Sequence, residues 1–295
     1  MIAIYKKELK SFFNSMMGYV VLFFFVLIVG IYFWGVNLQG QNGFIGDTLS
    51  NILMTYTIVI PLLTMRLFAE EKKMKTDQLL FSSPVTIWDV ILGKYFAVVT
   101  FFSLPFVLIC TMPFVLNQYG NVIMIKSFVS ILMFWLLGCV LLSIGLLAST
   151  VTENQLIAAI IAFGVNIGML VMGSVASSVP STAIVSLIAL SILYFIVVLI
   201  VFGFIRNIIV SGLLFIAGDG AMVAAYFIKS SLFESAFSKV LSGVSFFSRY
   251  NELVGNVYSL SKGGSLNLGT IVYYVSFIAL FLYCAMQVIQ KRRWN

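Results

Sequence analysis

The chain has 295 residues, 61% of them hydrophobic and only 9% charged, with a mean hydropathy of +1.10. Soluble domains carry roughly 25% charged residues, so a soluble fold is excluded and an all-α polytopic membrane protein is expected. There is no histidine, which removes the usual general base and commonest metal ligand, and the net charge of +7 reads as basic cytoplasmic loops, not as a nucleic-acid surface.

At the amino terminus Tyr5, Leu9, Phe12, Phe13 and Met16 recur at helical spacing, with Lys6, Lys7, Glu8 and Lys10 on the opposite face. This predicts an amphipathic helix over residues 2–16 lying on the cytoplasmic leaflet. The apolar run that follows is too long for a signal-peptide core, and Gln39 to Gly43 holds no small-residue cleavage site. With roughly 20 apolar residues needed per span, eight spans are predicted. They cover about 18–36, 48–68, 95–116, 122–149, 155–176, 183–205, 208–228 and 268–289. Gly212, Gly218, Asp219 and Gly220 interrupt the seventh, so a six-span or re-entrant variant stays open over 183–228. Between the last two spans, 229–266 keeps an apolar helical pattern through Phe233, Phe237, Val240, Val244, Phe246, Phe247 and Tyr250. Two short helices in the outer interface are expected there.

Twelve of the 17 lysines and arginines fall on one side of this arrangement, from Lys6, Lys7 and Lys10 through Arg66, Lys72, Lys94 and Arg206 to Arg293. The other side holds Lys126, Lys229, Lys239, Arg249 and Lys262. The bias places both termini in the cytoplasm. Cys110, Cys139 and Cys284 each sit in an apolar run without paired spacing, as small packing residues and not as a disulfide or zinc set.

The longest cytoplasmic segment, 66–94, opens as an extension of span two, with Glu71 and Lys75 at i, i+4. Ser83 and Pro84 then provide a cap and a first helical residue. They lead a short amphipathic helix with Val85, Trp88, Ile91 and Leu92 on one face, which Gly93 is expected to end. Such a helix serves either as a stiff lever under a cytoplasmic partner or as an interfacial helix resting on lipid. Within the spans, Asp219 is costly in hydrocarbon, by roughly 2.5–3.5 kcal/mol, and is expected either to function there or to reach water at a helix break. Asn166 reads as an interhelical hydrogen bond. Gly138, Gly145 and Ser149 put small residues on one face of span four, for close helix packing.

The opening Ile4 to Phe13, the run Pro61 to Lys72, and the block Thr76 to Val85 resemble ABC-2-type transporter permeases, the gliding-motility-associated subfamily most nearly; Thr152 to Gln155 and Lys291 to Trp294 match as well. The resemblance implies a single permease domain over 1–295 of a bacterial plasma-membrane protein. It implies docking of cytoplasmic ABC ATPase subunits and pairing with a second copy or a related permease. Residues 2–16 correspond to the connecting helix, about 84–93 to the coupling helix, and Glu70 and Glu71 to acidic residues near the ATPase. Asp77, Ser83, Pro84, Val85, Trp88 and Asp89 complete the expected coupling set. Asn166, Asp219, Phe246 and Phe247 are the candidates for a substrate path or gate, the last two because such exporters place re-entrant helices before the final span. The family commonly has six spans, so 183–228 reads as an inserted pair.

The chain carries no G-x-x-x-x-G-K-[ST], since Gly93 and Lys94 are preceded by Trp88 at the first glycine position and followed by Tyr95. ATP and magnesium are therefore expected on the partner ATPase, with no cofactor and no metal here. Two functions follow as expectations. One is a permease that exports a hydrophobic or amphipathic substrate, and the other is a mechanotransmission or assembly subunit that drives an extracytoplasmic accessory protein. Both involve membrane lipid and neither involves nucleic acid. An intramembrane enzyme is disfavoured by the lack of histidine and of paired carboxylates within a span.

Overall fold

The computed structural model describes residues 1–76, 86–120, 122–179, 182–205, 218–220, 223, 226, 233–259 and 269–294. Their regular structure is helical: α1 (Ile2–Asn14), α2 (Met16–Tyr32), α3 (Ile45–Thr64), α4 (Ala69–Lys73), α5 (Ile87–Ile109), α6 (Met112–Tyr119), α7 (Met124–Val151), α8 (Gln155–Ser178), α9 (Ala183–Ile205), α10 (Ala236–Val244), α11 (Phe246–Tyr258) and α12 (Gly269–Trp294). Among the described residues six helices are long and apolar enough to cross a membrane: Met16–Gln39, Ile45–Lys73, Ile87–Tyr119, Met124–Val151, Gln155–Ser178 and Gly269–Lys291. The sixth predicted span coincides with α9, while most of the seventh, 208–228, lies outside the described residues.

The chain divides into two compact units, Met1–Gly168 with Arg249–Asn295, and Met169–Ser248. In the first, α3 and α7 form the buried centre, with α2, α5 and α12 packed beside them. Aromatic rings fill it: Tyr56 stacks on Phe134 at 4.3 Å and on Phe25 at 5.8 Å, and meets Phe102 edge-on at 5.7 Å. The Tyr56 hydroxyl donates to the Phe134 carbonyl at 3.0 Å, which satisfies the one polar atom such a side chain brings into an apolar core. Gly138 is required by this packing, because a Cβ there would stand 2.5 Å from the Phe102 ring.

At one end of the bundle α2 runs on into a π-helical turn, Phe33–Gln39, and the chain reverses through Gln41 at φ 53. Asn37, buried at this turn, donates to the Asn42 carbonyl at 2.6 Å and accepts from Thr48. The carboxyl-terminal part of α11 lies over the same end, with Tyr250 5.8 Å from Phe134, Tyr258 5.6 Å from Phe44, and Lys126 donating to the Tyr258 carbonyl. At the other end Asn154 caps α8 by accepting from Leu156 N at 2.9 Å. Lys72 donates to the Thr150 carbonyl, placing a cation at the carboxyl end of α7 where the helix dipole favours it.

In the second unit, α10 is tied to the end of α8 by Ser238 donating to the Ala176 carbonyl at 2.6 Å, and Ser245 donates to the Met169 carbonyl at 2.7 Å. Tyr194 of α9 lies against Gly218, leaving no room for a side chain there.

Candidate functional site

The amphipathic pattern of residues 2–16 forms α1, which packs along the first turns of α5. A Cβ at Gly93 would lie 3.2 Å from Ile4 Cγ2, the Tyr5 hydroxyl is 3.1 Å from Thr100 Oγ1, and Phe12 stacks on Phe101 at 5.1 Å. Gly93 therefore does not end a short helix, as its residue type led us to expect. α5 runs unbroken from Ile87 to Ile109, and the missing side chain at Gly93 admits α1.

This packing turns Glu8 inward, away from the solvated face assigned to it by spacing. Glu8 Oε1 meets Lys94 Nζ at 3.0 Å, and Lys94 Nζ also reaches Glu71 Oε2 at 3.0 Å and the Leu67 carbonyl at 2.7 Å. The Phe68 ring covers the ammonium at 5.0 Å. An ammonium has three donors, and here each has an acceptor. Lys94 is 0% exposed, and stripping such an ion of water costs several kcal/mol unless it is paired and hydrogen-bonded. Lys7 adds a second cation, 3.1 Å from Glu71 Oε1, so that two carboxylates face two ammonium groups. Burial pulls the Lys7 ammonium down, but its hydrogen bond to Glu71 and the charges of Glu71 and Glu8 outweigh this and raise it above the ordinary lysine value.

The cluster joins α1, α4 and the start of α5 at one nitrogen. Glu71 spends both oxygens on Lys7 and Lys94. The expected Glu71 to Lys75 pair does not form, because α4 ends at Lys73 and the chain turns left-handed at Lys75, φ 57. Beside the cluster, Trp88, Leu92, Tyr95, Phe96 and Val99 of α5 face Trp135 and Cys139 of α7 and Val275 to Leu282 of α12 across an apolar cavity of about 380 Å³.

A family model described as ABC-2 family transporter protein matches residues 2–290. The chain belongs to that family. A search of curated proteins finds no significant match. As an ABC-2 protein it is a membrane permease subunit of an ABC transporter, a multi-pass protein whose family implies an ABC ATPase partner and, often, a dimer.

Within this ABC-2 permease, Glu71 lies in the ion cluster, and Glu70 stands 4.0 Å from Arg66 in the turn before α4. Asp89 pairs with Thr86, whose hydroxyl donates to Asp89 Oδ2 at 2.6 Å and accepts from Asp89 N at 3.2 Å, capping α5. Trp88 is 39% exposed. Asp77, Ser83, Pro84 and Val85 lie outside the described residues. In the first unit Asn166 is buried with neither amide atom hydrogen-bonded among the described residues. In the second, Asp219 keeps one buried oxygen without a partner among the described residues, and Phe246 and Phe247 are buried.

Sequence spacing missed Lys94 and Glu8. A lysine opening an apolar run between Gly93 and Tyr95 is the signal that points to Lys94, since a charge at such a place demands a partner. No local signal names Glu8 as that partner.

Proposed function

We propose that this chain is an export permease of the bacterial plasma membrane, with both termini cytoplasmic, and that its α1 and the start of α5 receive the stroke of the partner ATPase. The observation that carries this reading is the Lys94 cluster. It ties the connecting helix, the end of span two and the start of span three at a single buried ammonium, so a push on the exposed Trp88 face moves all three together.

ATP and magnesium belong to the partner, and this chain performs no catalysis. A second copy or a related permease completes the pathway. The quoted sequence blocks resemble the gliding-motility-associated subfamily most nearly, and the apolar pattern of 183–228 is assigned to two spans beyond the six. Glu70, Asp77, Ser83, Pro84, Val85 and Asp89 share the coupling surface with Trp88, and Glu71 links that surface to the buried cluster. Asn166 and Asp219 are assigned to the path because each brings a buried polar atom with no partner among the described residues, and Phe246 and Phe247 to its gate. The apolar interior suits a hydrophobic or amphipathic substrate.

The test is co-expression with the neighbouring genes, purification in mild detergent, and identification of the bound subunits by mass spectrometry. Recovery of an ABC ATPase, followed by ATP-dependent substrate accumulation in vesicles, is the expected result. A folded chain with no ATPase would overturn the reading, and ATP turnover without accumulation would favour a mechanotransmission subunit.

A further inference from the structure

Span two is not a continuous helix. α3 stops at Thr64, Met65 to Phe68 form turns, and helix resumes at Ala69. In an unbroken α-helix the Ala69 N–H would donate to the Met65 carbonyl, four residues back. Here the hydroxyl of Ser149, from α7, occupies that rung. Its oxygen accepts from Ala69 N at 3.1 Å and from Phe68 N at 2.9 Å, and it donates to the Met65 carbonyl at 3.4 Å. Two residues on, the Leu67 carbonyl accepts from Lys94 at 2.7 Å. Ser149 and Lys94 are both fully buried.

A side chain inserted into the ladder is an identified cause of a sharp helix bend. Two further residues prepare this one. Pro61 lacks an N–H and weakens the ladder one turn earlier. Gly145, one turn before Ser149, lets α7 approach so closely that a Cβ there would collide with the Thr64 side chain.

A second arrangement can be built from the same groups. Closing the Met65 to Ala69 rung directly would straighten the helix, and the released Ser149 hydroxyl would donate to a carbonyl of its own helix, as serine commonly does. Lys94 would keep Glu8 and Glu71 and give up Leu67, so its third donor favours the bent arrangement by one hydrogen bond. Neither arrangement strands the Ala69 N–H or the Met65 carbonyl, which is what a two-state element needs.

We propose that this break is the joint through which motion of the coupling segment enters span two, and that Ser149 and Lys94 are its positioning residues. Ser149 holds the bent state, and Lys94 links the bend to the carboxylates of α1 and α4. The inference deepens the ATPase-coupled reading and rests on it for the source of the motion.

The test places spin labels on either side of the break, at Met54→Cys, where the native side chain is 64% exposed, and Lys73→Cys, also exposed. The full chain, with Cys110, Cys139 and Cys284 replaced, is reconstituted in lipid nanodiscs with and without its ATPase. Without nucleotide, Ser149→Ala should lengthen the label distance by a few ångström relative to wild type, while Ser149→Thr keeps the wild-type distance. With the ATPase bound, trapping the ATP state should shift the distance in wild type and in Ser149→Thr and leave Ser149→Ala at its longer value, with ATP turnover reduced severalfold. Lys94→Arg should behave as wild type, and Lys94→Met should move in the direction of Ser149→Ala. A Ser149→Ala distance equal to wild type, or one that responds to ATP as wild type does, would overturn the proposal. Failure to recover an ATPase would sink the ATPase-coupled reading instead, and the nucleotide-free comparison would still decide the joint.

Discussion

Lys94 is accommodated inside the protein because every donor on its ammonium has a geometrically good acceptor, two of them carboxylate oxygens. Breaking such a pair is far more harmful than replacing all of it, since the survivors keep their desolvation penalty and lose their partner. Lys94→Met should therefore destabilise the protein by about 3–5 kcal/mol, read as a lower melting temperature in detergent. The triple variant Lys94→Met, Glu8→Gln, Glu71→Gln should recover most of that loss. A single variant as stable as wild type would show that Lys94 is not held as described. Lys7 carries a pH consequence of known sign. Its ammonium is raised by Glu71 and Glu8 against the opposing effect of burial, so its contribution is fully present below the unfolded value of about 10.4 and is lost only as pH climbs through the raised folded value. Amide protection factors over α1, which are corrected for the intrinsic pH dependence of exchange, should then be flat from about pH 6 to about pH 9 and fall only above about 10.4. A fall near neutrality would mean that α1 is not held by this lysine.

At the scale of elements, glycines set the distances between helices, and their roles show what a sequence can and cannot reveal. Gly93 was read as a helix terminator because glycine so often ends helices, but its lack of a side chain here admits Ile4 of α1. The same letter serves both purposes, and only a partner 89 residues away in the chain distinguishes them. Gly93→Leu should displace α1, seen as faster amide exchange over residues 2–14 with the rest of α5 unchanged; equal exchange would show that α1 does not depend on this contact. The periodicity of Tyr5, Leu9 and Phe12 made α1 legible, because its apolar face is a local property. The Glu71 to Lys75 expectation failed because the i, i+4 rule assumes an unbroken helix, and the turn at Lys75 removes that assumption. The small face of α7 was legible as packing, and Gly138 and Gly145 pack as expected. That Ser149 caps a break in another helix was not legible, because the need for a cap arises at Phe68 and Ala69, about 80 residues earlier. Gly145→Ala would push α7 from Thr64 and should cost about 1–3 kcal/mol by overpacking, measurable as a fall in melting temperature; no change would mean the helices can separate freely there.

For the whole molecule, touching the ATPase and transmitting its motion are separable tasks assigned to different residues. Trp88 is part-exposed at the start of α5, where a large aromatic can fill a pocket on a partner, and truncating such an anchor commonly costs about 2 kcal/mol or more of binding. Glu71 is turned to the interior and spends its oxygens on Lys7 and Lys94, so it contributes nothing to the contact surface. The two alanine variants should therefore fail differently. Trp88→Ala should weaken ATPase association by about thirtyfold, the equivalent of 2 kcal/mol, with the Lys94 cluster intact. Glu71→Ala should bind the ATPase normally while losing the linkage between α4 and α5, so that ATP turnover no longer responds to the permease. Association measured by co-purification and turnover by phosphate release separate the two. If both variants kept wild-type association and turnover, the start of α5 would not be the coupling surface. If both lost association alone, the cluster would be a docking scaffold with no part in passing motion to span two.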